Sequence, residues 1–265
     1  MAMATEKNPG AHLPPPSLAL LALELRAPWE FGAVLPAWPA LRRAPAGDGH
    51  AVVVFPGLSA NDASTAPLRR YLASLGYAVQ GWDQGFNLGP REGVIDAARA
   101  QIERAADASG GKVSLIGWSL GGVYARELAK LHPEWVRGVI TLGTPFAAHP
   151  RSTHAWRIYE FASGRSAHRE HEENAELAAA PPVPTTSIYS RTDGIVAWQG
   201  SIQRPDHAQV ENVEVFASHI GIGVNPSAWW AVADRLAQAE GAWKPFDRFG
   251  AWGVKGLLYP DPHRA

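Results

Sequence analysis

Short runs of β-branched and other apolar residues alternate with amphipathic stretches along most of the chain, and this alternation limits the folds open to it. Apolar residues at helical spacing predict helices over 65–76, 92–108 and the stretch after Ser119, and Asn225 followed by Pro226 predicts the start of a closing helix. Strands that alternate with helices pair in parallel and bury both faces. We therefore expect an α/β fold with a mostly parallel central sheet of about six strands flanked by helices. The apolar runs place the strands at residues 51–55, 77–82, 112–118, 136–143, 185–190 and 212–217.

Two segments do not follow this alternation. Residues 1–48 contain apolar helical sequence, proline and tryptophan but no clear strand, and we expect them to form an N-terminal helical segment that packs on the core. Residues 49–265 are expected to form one domain. Within it, residues 147–183 are longer than an ordinary connection between strands and are charged and helix-prone, which predicts a small helical lid insertion.

The composition excludes several classes of protein. The net charge of −1 gives no reason to expect nucleic acid as a partner. The absence of cysteine excludes a disulfide scaffold, a Cys-ligated zinc site and a thiol nucleophile. The apolar run at 17–25 follows three prolines and is interrupted by Glu24, so it fits a secretory signal poorly, and no apolar window is long enough for a transmembrane helix. A cytoplasmic location is the default expectation, and secretion stays open.

The third predicted strand runs into the sequence GWSLGG, residues 117–122, and a helical pattern begins immediately after it. The G-x-S-x-G pattern is common by chance, but a serine between a strand and a helix stands where a nucleophile elbow places its reactive side chain. Such a turn strains the backbone at Ser119, and Gly117 and Gly121 give the strand and the helix room to approach each other. The sequence therefore predicts Ser119 as a nucleophile. The alternative is a glycine-rich turn with a passive serine.

A reactive serine needs a base, and the base needs an acid that orients it. On this kind of elbow the acid and the histidine follow the serine, each on a loop after a later strand. Asp193 comes directly after the fifth predicted strand, and His219 comes directly after the sixth. His207 is the reserve base, but it precedes the sixth strand. Asp83 follows the second strand and is an alternative acid, although an aspartate in a turn is commoner there.

The intermediate of acyl transfer also needs two backbone N–H donors for its negative oxygen. Leu120, directly after the nucleophile, is expected to supply one, and Leu58, in the loop after the first strand, is expected to supply the other. Ser59 could add a hydroxyl donor, though an exposed or capping serine is as common. We expect Trp118 and Phe146, together with the lid, to shape an apolar pocket for the acyl group.

With these residues in place, the chain resembles the α/β-hydrolase superfamily, and most closely its bacterial lipase-like and esterase-like members. The resemblance covers about residues 49–240 and rests on the stretches VVVFPGLSA, VSLIGWSLGG, VITLGTPF, IYSRTDGIVAW and ASHIGIGVNP. It implies ester hydrolysis with Ser119 as nucleophile, His219 as base and Asp193 as its orienting acid, without a metal or organic cofactor. Many members have His-Gly where this chain has Pro56 and Gly57. The first two antiparallel strands of the superfamily are not evident, so a six-stranded sheet is expected.

The expected function is hydrolysis of a small-molecule carboxylic ester through an acyl-enzyme. Thioesterases, amidases and acyltransferases use the same three residues, and sequence does not choose among them. A non-catalytic binding module on the same fold is a rival of another class, as is hydrolysis of a carbon–carbon bond. Dehalogenase and epoxide-hydrolase chemistry is disfavoured, because those members carry an aspartate at the elbow.

Three further features invite a function. His168 and His171 stand three residues apart on a predicted helix, a spacing that suits zinc, but a third ligand is not apparent and a solvated lid surface is preferred. The apolar N-terminal segment could touch a membrane, but it lacks the Lys and Arg excess of an interfacial helix, so packing against the domain is preferred. The aromatic stretch at 242–260 forms either a dimer interface or a wrap over its own core.

Overall fold

The computed structural model describes residues 13–147, 152–154, 176–249, 255–262 and 264. A six-stranded sheet lies at its centre in the order β2-β1-β3-β4-β5-β6, and every pair of neighbouring strands is parallel. The predicted fold class, a mostly parallel sheet of six strands between helices, is therefore confirmed. The strands are β1 (Ala51–Phe55), β2 (Ala78–Gln80), β3 (Val113–Trp118), β4 (Val136–Leu142), β5 (Thr185–Tyr189) and β6 (Val210–Glu214).

Alternate side chains of the sheet enter two separate hydrophobic cores. In β1, Val52 and Val54 belong to one core, while Val53 and Phe55 belong to the other. Every residue of β1 is buried, which explains why the strand is continuously apolar in sequence. The helices are α1 (Leu18–Leu23), α2 (Ala27–Gly32), α3 (Val34–Leu41), α4 (Asp62–Ser74), α5 (Val94–Ser109), α6 (Leu120–Leu131), α7 (Pro226–Leu236) and α8 (Lys255–Leu258). Helices α3, α4 and α7 cover the first core, and α5 and α6 cover the second.

Side-chain caps decide where two of the helices begin. The closing helix α7 starts at Pro226 as predicted, because the Asn225 side chain accepts hydrogen bonds from the first free amides of the helix. Helix α4 starts at Asp62, ahead of the predicted start at residue 65. There the Asn61 side chain accepts a hydrogen bond from the Ala63 amide at 3.0 Å, a cap that the apolar periodicity does not reveal.

The last strand ends earlier than predicted. Pairing in β6 stops at Glu214, although the apolar pattern continues to residue 217. The Val215 amide still donates to the Tyr189 carbonyl, but the Phe216 carbonyl accepts a hydrogen bond from the Asn225 side chain instead of continuing the ladder. The chain therefore turns away from the sheet before His219, and this turn brings the histidine loop over the carboxyl ends of the strands.

The N-terminal segment contacts the domain in an unexpected way. Val34 and Leu41 of α3 lie in the first core. Ahead of α3 the pattern is reversed, because the charged side chains of residues 24–30 point inward and Glu24 is only 5% exposed. The apolar side chains there that are at least 75% exposed are Leu18, Leu25 and Trp29. The physical reason is that loops of the domain present buried amide groups to this segment, and those groups need hydrogen-bond acceptors.

The division into residues 1–48 and 49–265 stays a prediction. The predicted lid at 147–183 lies largely outside the described residues. Within the described ranges, no helix is both long enough and apolar enough to cross a membrane.

Candidate active site

The turn between β3 and α6 holds Ser119 in a backbone conformation that residues other than glycine rarely adopt. Ser119 has φ 52° and ψ −122°. A Cβ added at Gly117 would lie 2.2 Å from the Gly122 Cα, and one added at Gly121 would lie 2.4 Å from the Phe55 carbonyl oxygen. Any residue larger than glycine would therefore push the strand and the helix apart. The turn has the strained, glycine-flanked geometry that the sequence predicts.

Ser119, His219 and Asp193 form a continuous hydrogen-bonded array. The Ser119 Oγ lies 3.0 Å from the His219 Nε2, and the His219 Nδ1 lies 2.6 Å from the Asp193 Oδ2. An ionised carboxylate can only accept, so His219 donates its Nδ1–H to Asp193 and its Nε2 accepts from the Ser119 hydroxyl. The structure thus brings together the three residues that the sequence singles out, although they are 26 and 100 positions apart in the chain.

The two carboxylate oxygens of Asp193 have different partners. Oδ1 accepts hydrogen bonds from the amides of Ile195 and Val196, at 2.8 and 2.7 Å. These bonds fix the carboxylate plane and leave Oδ2 facing the imidazole. Asp193 is 4% exposed, so bulk water does not compete for this contact.

The acidity of His219 is set by opposing influences. Burial lowers its pKa, but the charge and hydrogen bond of Asp193, together with the charge of Glu24, outweigh burial. The pKa of His219 therefore lies above the ordinary value of a histidine. A raised pKa makes the neutral imidazole a stronger proton acceptor, at the cost of a smaller neutral fraction at low pH.

The loop after β1 lies against the serine turn. A Cβ at Gly57 would lie 3.3 Å from the Ser119 Cβ, so the loop passes within contact distance of the nucleophile. Within the described part of the chain the Leu58 amide has no acceptor. Leu120 is the first residue of α6, where amide groups have no partner inside the helix. Leu58 thus follows the close contact between Gly57 and Ser119, and Leu120 follows Ser119 in sequence, whereas Ser59 is exposed with φ 58°.

Asn87 holds this loop in place, and sequence analysis misses it. Its side chain donates to the Pro56 carbonyl at 2.8 Å, and its backbone exchanges hydrogen bonds with Ser59 and Ala60. It is fully buried and accepts from the Tyr124 hydroxyl of α6. Asn87 therefore ties the loop after β1 to the helix that begins at the nucleophile. Nothing in its local sequence distinguishes it from an ordinary loop asparagine.

Trp118 and Phe146, which the sequence predicts to line an acyl pocket, contact other parts of the protein in the structure. The Trp118 Nε1 donates to the His219 carbonyl at 3.1 Å, and its ring packs against Gly223. Trp118 thus braces the histidine loop from the strand that carries the nucleophile. Phe146 is 2% exposed, and its ring lies under the Arg126 guanidinium at 3.7 Å. A role for either residue in binding substrate stays a prediction.

The reserve candidates lie away from Ser119 or outside the described residues. His207 bonds to the Pro181 carbonyl through Nε2, ahead of β6. Asp83 is exposed in a turn, and its amide donates to the Asp62 side chain. His168 and His171 fall outside the described ranges. In the part of the chain that is described, no group of three or more His, Asp or Glu side chains is arranged to hold a metal ion.

A second Ser–His–Asp array lies at the opposite end of the sheet. The Ser114 Oγ lies 2.8 Å from the His50 Nε2, and the His50 Nδ1 lies 2.5 Å from the Asp48 Oδ1. Ser114 borders a cavity of about 290 Å³, but it stands in the regular part of β3 rather than on a strained turn. The array joins residues 48–50 to the sheet and provides an internal comparison for Ser119.

Sequence comparison relates only part of this chain to a known protein. The chain matches no protein-family model. A stretch of 111 residues is 33% identical to part of the polyketide synthase ThaQ of Burkholderia thailandensis, covering 39% of this chain and 5% of that protein. The chain therefore corresponds to only a small part of the curated relative that it matches.

Solved structures resemble a larger part of the chain. Lipase B of Aspergillus fumigatus superposes with a TM-score of 0.57 at 19% identity, over 78% of this chain and 58% of that one. A thioesterase domain from the curacin biosynthetic pathway superposes with a TM-score of 0.50 at 16% identity, over 74% and 93% of the two chains. At such identities the likeness concerns the fold. Together with the parallel sheet and the serine turn, it establishes that this chain has the α/β-hydrolase fold.

Proposed function

We propose that the protein is a serine hydrolase of small-molecule carboxylic esters that works through an acyl-enzyme. The observation that carries the proposal is the unbroken array from Ser119 through His219 to Asp193, with the serine held on a strained turn at the start of a helix. A buried array of this kind can move one proton away from the serine as it attacks. The lipase fold neighbour described above is consistent with ester chemistry.

The first half of the reaction forms the acyl-enzyme. The Ser119 Oγ attacks the ester carbonyl carbon while its proton passes to the His219 Nε2. The new imidazolium is stabilised by the Asp193 carboxylate, which keeps its charge. The carbonyl oxygen becomes negative and accepts hydrogen bonds from the Leu58 and Leu120 amides, at the positive end of the α6 dipole. When the intermediate collapses, the alcohol leaves with the proton from Nε2.

The second half releases the acid. A water molecule gives one proton to the His219 Nε2 and attacks the acyl carbon through the same oxyanion geometry. Collapse of this intermediate breaks the bond to Oγ, and the proton on Nε2 returns to Ser119. Each proton transfer therefore passes through one imidazole nitrogen, the one that lies 3.0 Å from Oγ.

A thioester is the second candidate substrate class. The local match to a polyketide synthase and the likeness to a thioesterase domain favour it. The same array would release a thiol in place of an alcohol.

We expect measurable hydrolysis of p-nitrophenyl esters, and comparison of acetate with longer acyl chains tests the acyl preference. A preference for chains of about ten or more carbons favours a lipase, and a preference for acetate or butyrate favours an esterase. Faster turnover of acyl thioesters than of the matched oxygen esters identifies the second candidate. A fluorophosphonate should phosphonylate Ser119, as checked by peptide mass spectrometry. Modification confined to other residues would contradict the proposed nucleophile.

Replacing the base should nearly abolish turnover. We expect His219→Ala to lower kcat by about 10³- to 10⁶-fold, because the proton of Ser119 then has no acceptor. His207→Ala is the matched control, since that imidazole bonds to a backbone carbonyl away from the serine turn. Ester hydrolysis rates of the two variants decide the assignment. Near-normal activity in His219→Ala together with loss in His207→Ala would show that the base is His207.

A further inference from the structure

The N-terminal segment reaches the backbone of the candidate active site through a buried carboxylate. Glu24 lies in the short 3₁₀ turn Glu24–Arg26 between α1 and α2. Its Oε1 accepts hydrogen bonds from the amides of both Gly194 and His219, at 2.7 and 2.8 Å. Its Oε2 accepts from the Ile220 amide at 2.9 Å. One side chain thus binds the residue after Asp193, His219 itself and the residue after His219.

This arrangement sets the spacing between the acid and the base. Asp193 and His219 lie on loops that follow different strands. Because a single oxygen accepts from an amide on each loop, a movement of either loop lengthens a charge-assisted hydrogen bond in a buried place. The two loops also touch directly: the Thr192 hydroxyl donates to the Ala217 carbonyl at 3.1 Å, and the Ala217 amide donates to the Ser190 hydroxyl at 3.2 Å. These bonds lie nearer the strand ends, whereas Glu24 binds at His219 itself, where Nδ1 lies 2.6 Å from the Asp193 Oδ2. By holding the backbone of both loops, Glu24 therefore stabilises the Asp193–His219 hydrogen bond that orients the imidazole.

The two neighbouring charged residues of the segment, Arg26 and Glu30, hydrogen-bond to the same loops. Arg26 donates to the carbonyl and hydroxyl oxygens of Thr192, at 3.0 and 2.7 Å. Glu30 accepts from the Ser218 amide at 2.8 Å and pairs with Arg26. All three charges from residue 24 to residue 30 are thus directed at the loops that carry Asp193 and His219.

Glycines in both loops make room for the segment. A Cβ at Gly194 would lie 2.2 Å from the Leu20 carbonyl oxygen, and a Cβ at Gly221 would lie 2.1 Å from the Glu30 Oε2. At Gly194 the near atoms are backbone atoms, so any other residue would push the segment away from the loop. At Gly221 they belong to the Glu30 and Ser218 side chains, which a larger residue would displace. The contacts of Glu24 are therefore part of a larger docked surface.

We propose that Glu24 is a positioning residue for the reaction, which holds the acid loop and the base loop at their working distance and adds a second negative charge behind His219. The inference rests on the proposed function, because it concerns the same serine, histidine and aspartate. Glu24 does not touch the reacting atoms. It acts through the backbone of His219 and Gly194 and through the field at the imidazole.

The charges around His219 fix the direction of the pH effect. Asp193 faces the imidazole from the loop after β5, and Glu24 faces it from the N-terminal segment, where Glu30 and Arg26 form an ion pair further out. Glu24 raises the pKa of His219. The base works when neutral, so the acidic limb of kcat/KM follows this pKa. Loss of the Glu24 charge should therefore move the limb to lower pH.

Three variants separate charge from geometry. We expect Glu24→Gln to lower kcat by about ten- to hundredfold, with a smaller change in KM, since the loops shift, and to move the acidic limb to lower pH. Glu24→Asp keeps the charge but shortens the reach, so its limb should stay near that of the wild type although kcat falls. Glu30→Gln is the matched control, because it weakens the docking of the same segment and should leave the acidic limb in place.

Two readouts keep the test independent of turnover. The pH titration of the His219 ring is followed by NMR and assigned by its loss in His219→Asn, and thermal unfolding shows whether each variant is folded. A wild-type protein that hydrolyses no ester or thioester would overturn the proposed function, while the NMR titration would still report on Glu24. If Glu24→Gln does not fold, Glu24→Asp carries the test. A normal kcat and a normal His219 titration in the folded Glu24 variant would overturn the inference.

Discussion

Ser119→Ala should lower kcat/KM for a p-nitrophenyl ester by about 10⁴- to 10⁶-fold. The substitution removes the hydroxyl oxygen that lies 3.0 Å from the His219 Nε2, so no acyl-enzyme can form at this position. Water activated by His219 could still attack a bound ester slowly, which sets the residual rate. The variant should also resist labelling by a fluorophosphonate.

The second serine array offers a close control for this prediction. Ser114 has the same chemical partners at similar distances, but it lies at the other end of the sheet, in a regular strand. We expect Ser114→Ala to keep most of the activity and all of the labelling at Ser119. If Ser114→Ala lost activity while Ser119→Ala kept it, the nucleophile would be Ser114 and the proposed mechanism would be wrong.

The comparison of the two arrays shows what sequence can and cannot provide. Ser119 is predictable because its signal is local: a buried strand, a glycine-flanked serine and a helix occur within a few residues. Asp193 and His219 are predictable because each lies in the loop after a later strand, and the carboxyl ends of parallel strands meet at one edge. Ser114 and His50 carry no such signal, since a serine early in an apolar strand and a histidine before another strand have no recognised pattern.

Glu24 shows why the rest of the site escapes sequence analysis. In the sequence it is visible only as a charged residue that interrupts an apolar run. Its partners are 170, 195 and 196 positions away, and no local periodicity encodes such distances. The same holds for Asn87, whose contact with Pro56 spans 31 positions. Both residues bind backbone groups, and backbone groups leave no trace in the amino-acid type of the partner.

The apolar residues of the N-terminal segment make a related point. An apolar periodicity predicts a buried face, because burial of apolar surface is the dominant favourable term in folding. Here Leu25 and Trp29 face outward while Glu24 and Glu30 face the domain. The buried amides of the two loops need acceptors, and an unsatisfied buried amide costs on the order of 1–3 kcal/mol. Three or four such amides outweigh the burial of one or two leucines.

Gly117→Ala should destabilise the protein more than an ordinary core substitution. The new Cβ would lie 2.2 Å from the Gly122 Cα, 2.3 Å from the Gly122 nitrogen and 2.4 Å from the Gly121 oxygen. All three are backbone atoms, so no side chain can rotate away, and β3 must separate from α6. We expect a loss of about 3 kcal/mol or more in the free energy of unfolding, measured by urea denaturation. The melting temperature should fall by roughly 2–4 °C for each kcal/mol lost.

Gly111→Ala is the matched control for this substitution. It lies just ahead of the same strand, nothing stands within 4 Å of its added Cβ, and its φ is not in the left-handed region. The stability of the Gly111→Ala variant should therefore equal or slightly exceed that of the wild type.

Any Gly117→Ala protein that folds should also react more slowly with a fluorophosphonate, because separation of β3 from α6 moves Ser119 away from the His219 Nε2. A Gly117→Ala variant that matches Gly111→Ala in stability and labelling rate would show that the serine turn is not built on the close approach of Gly117 to Gly122.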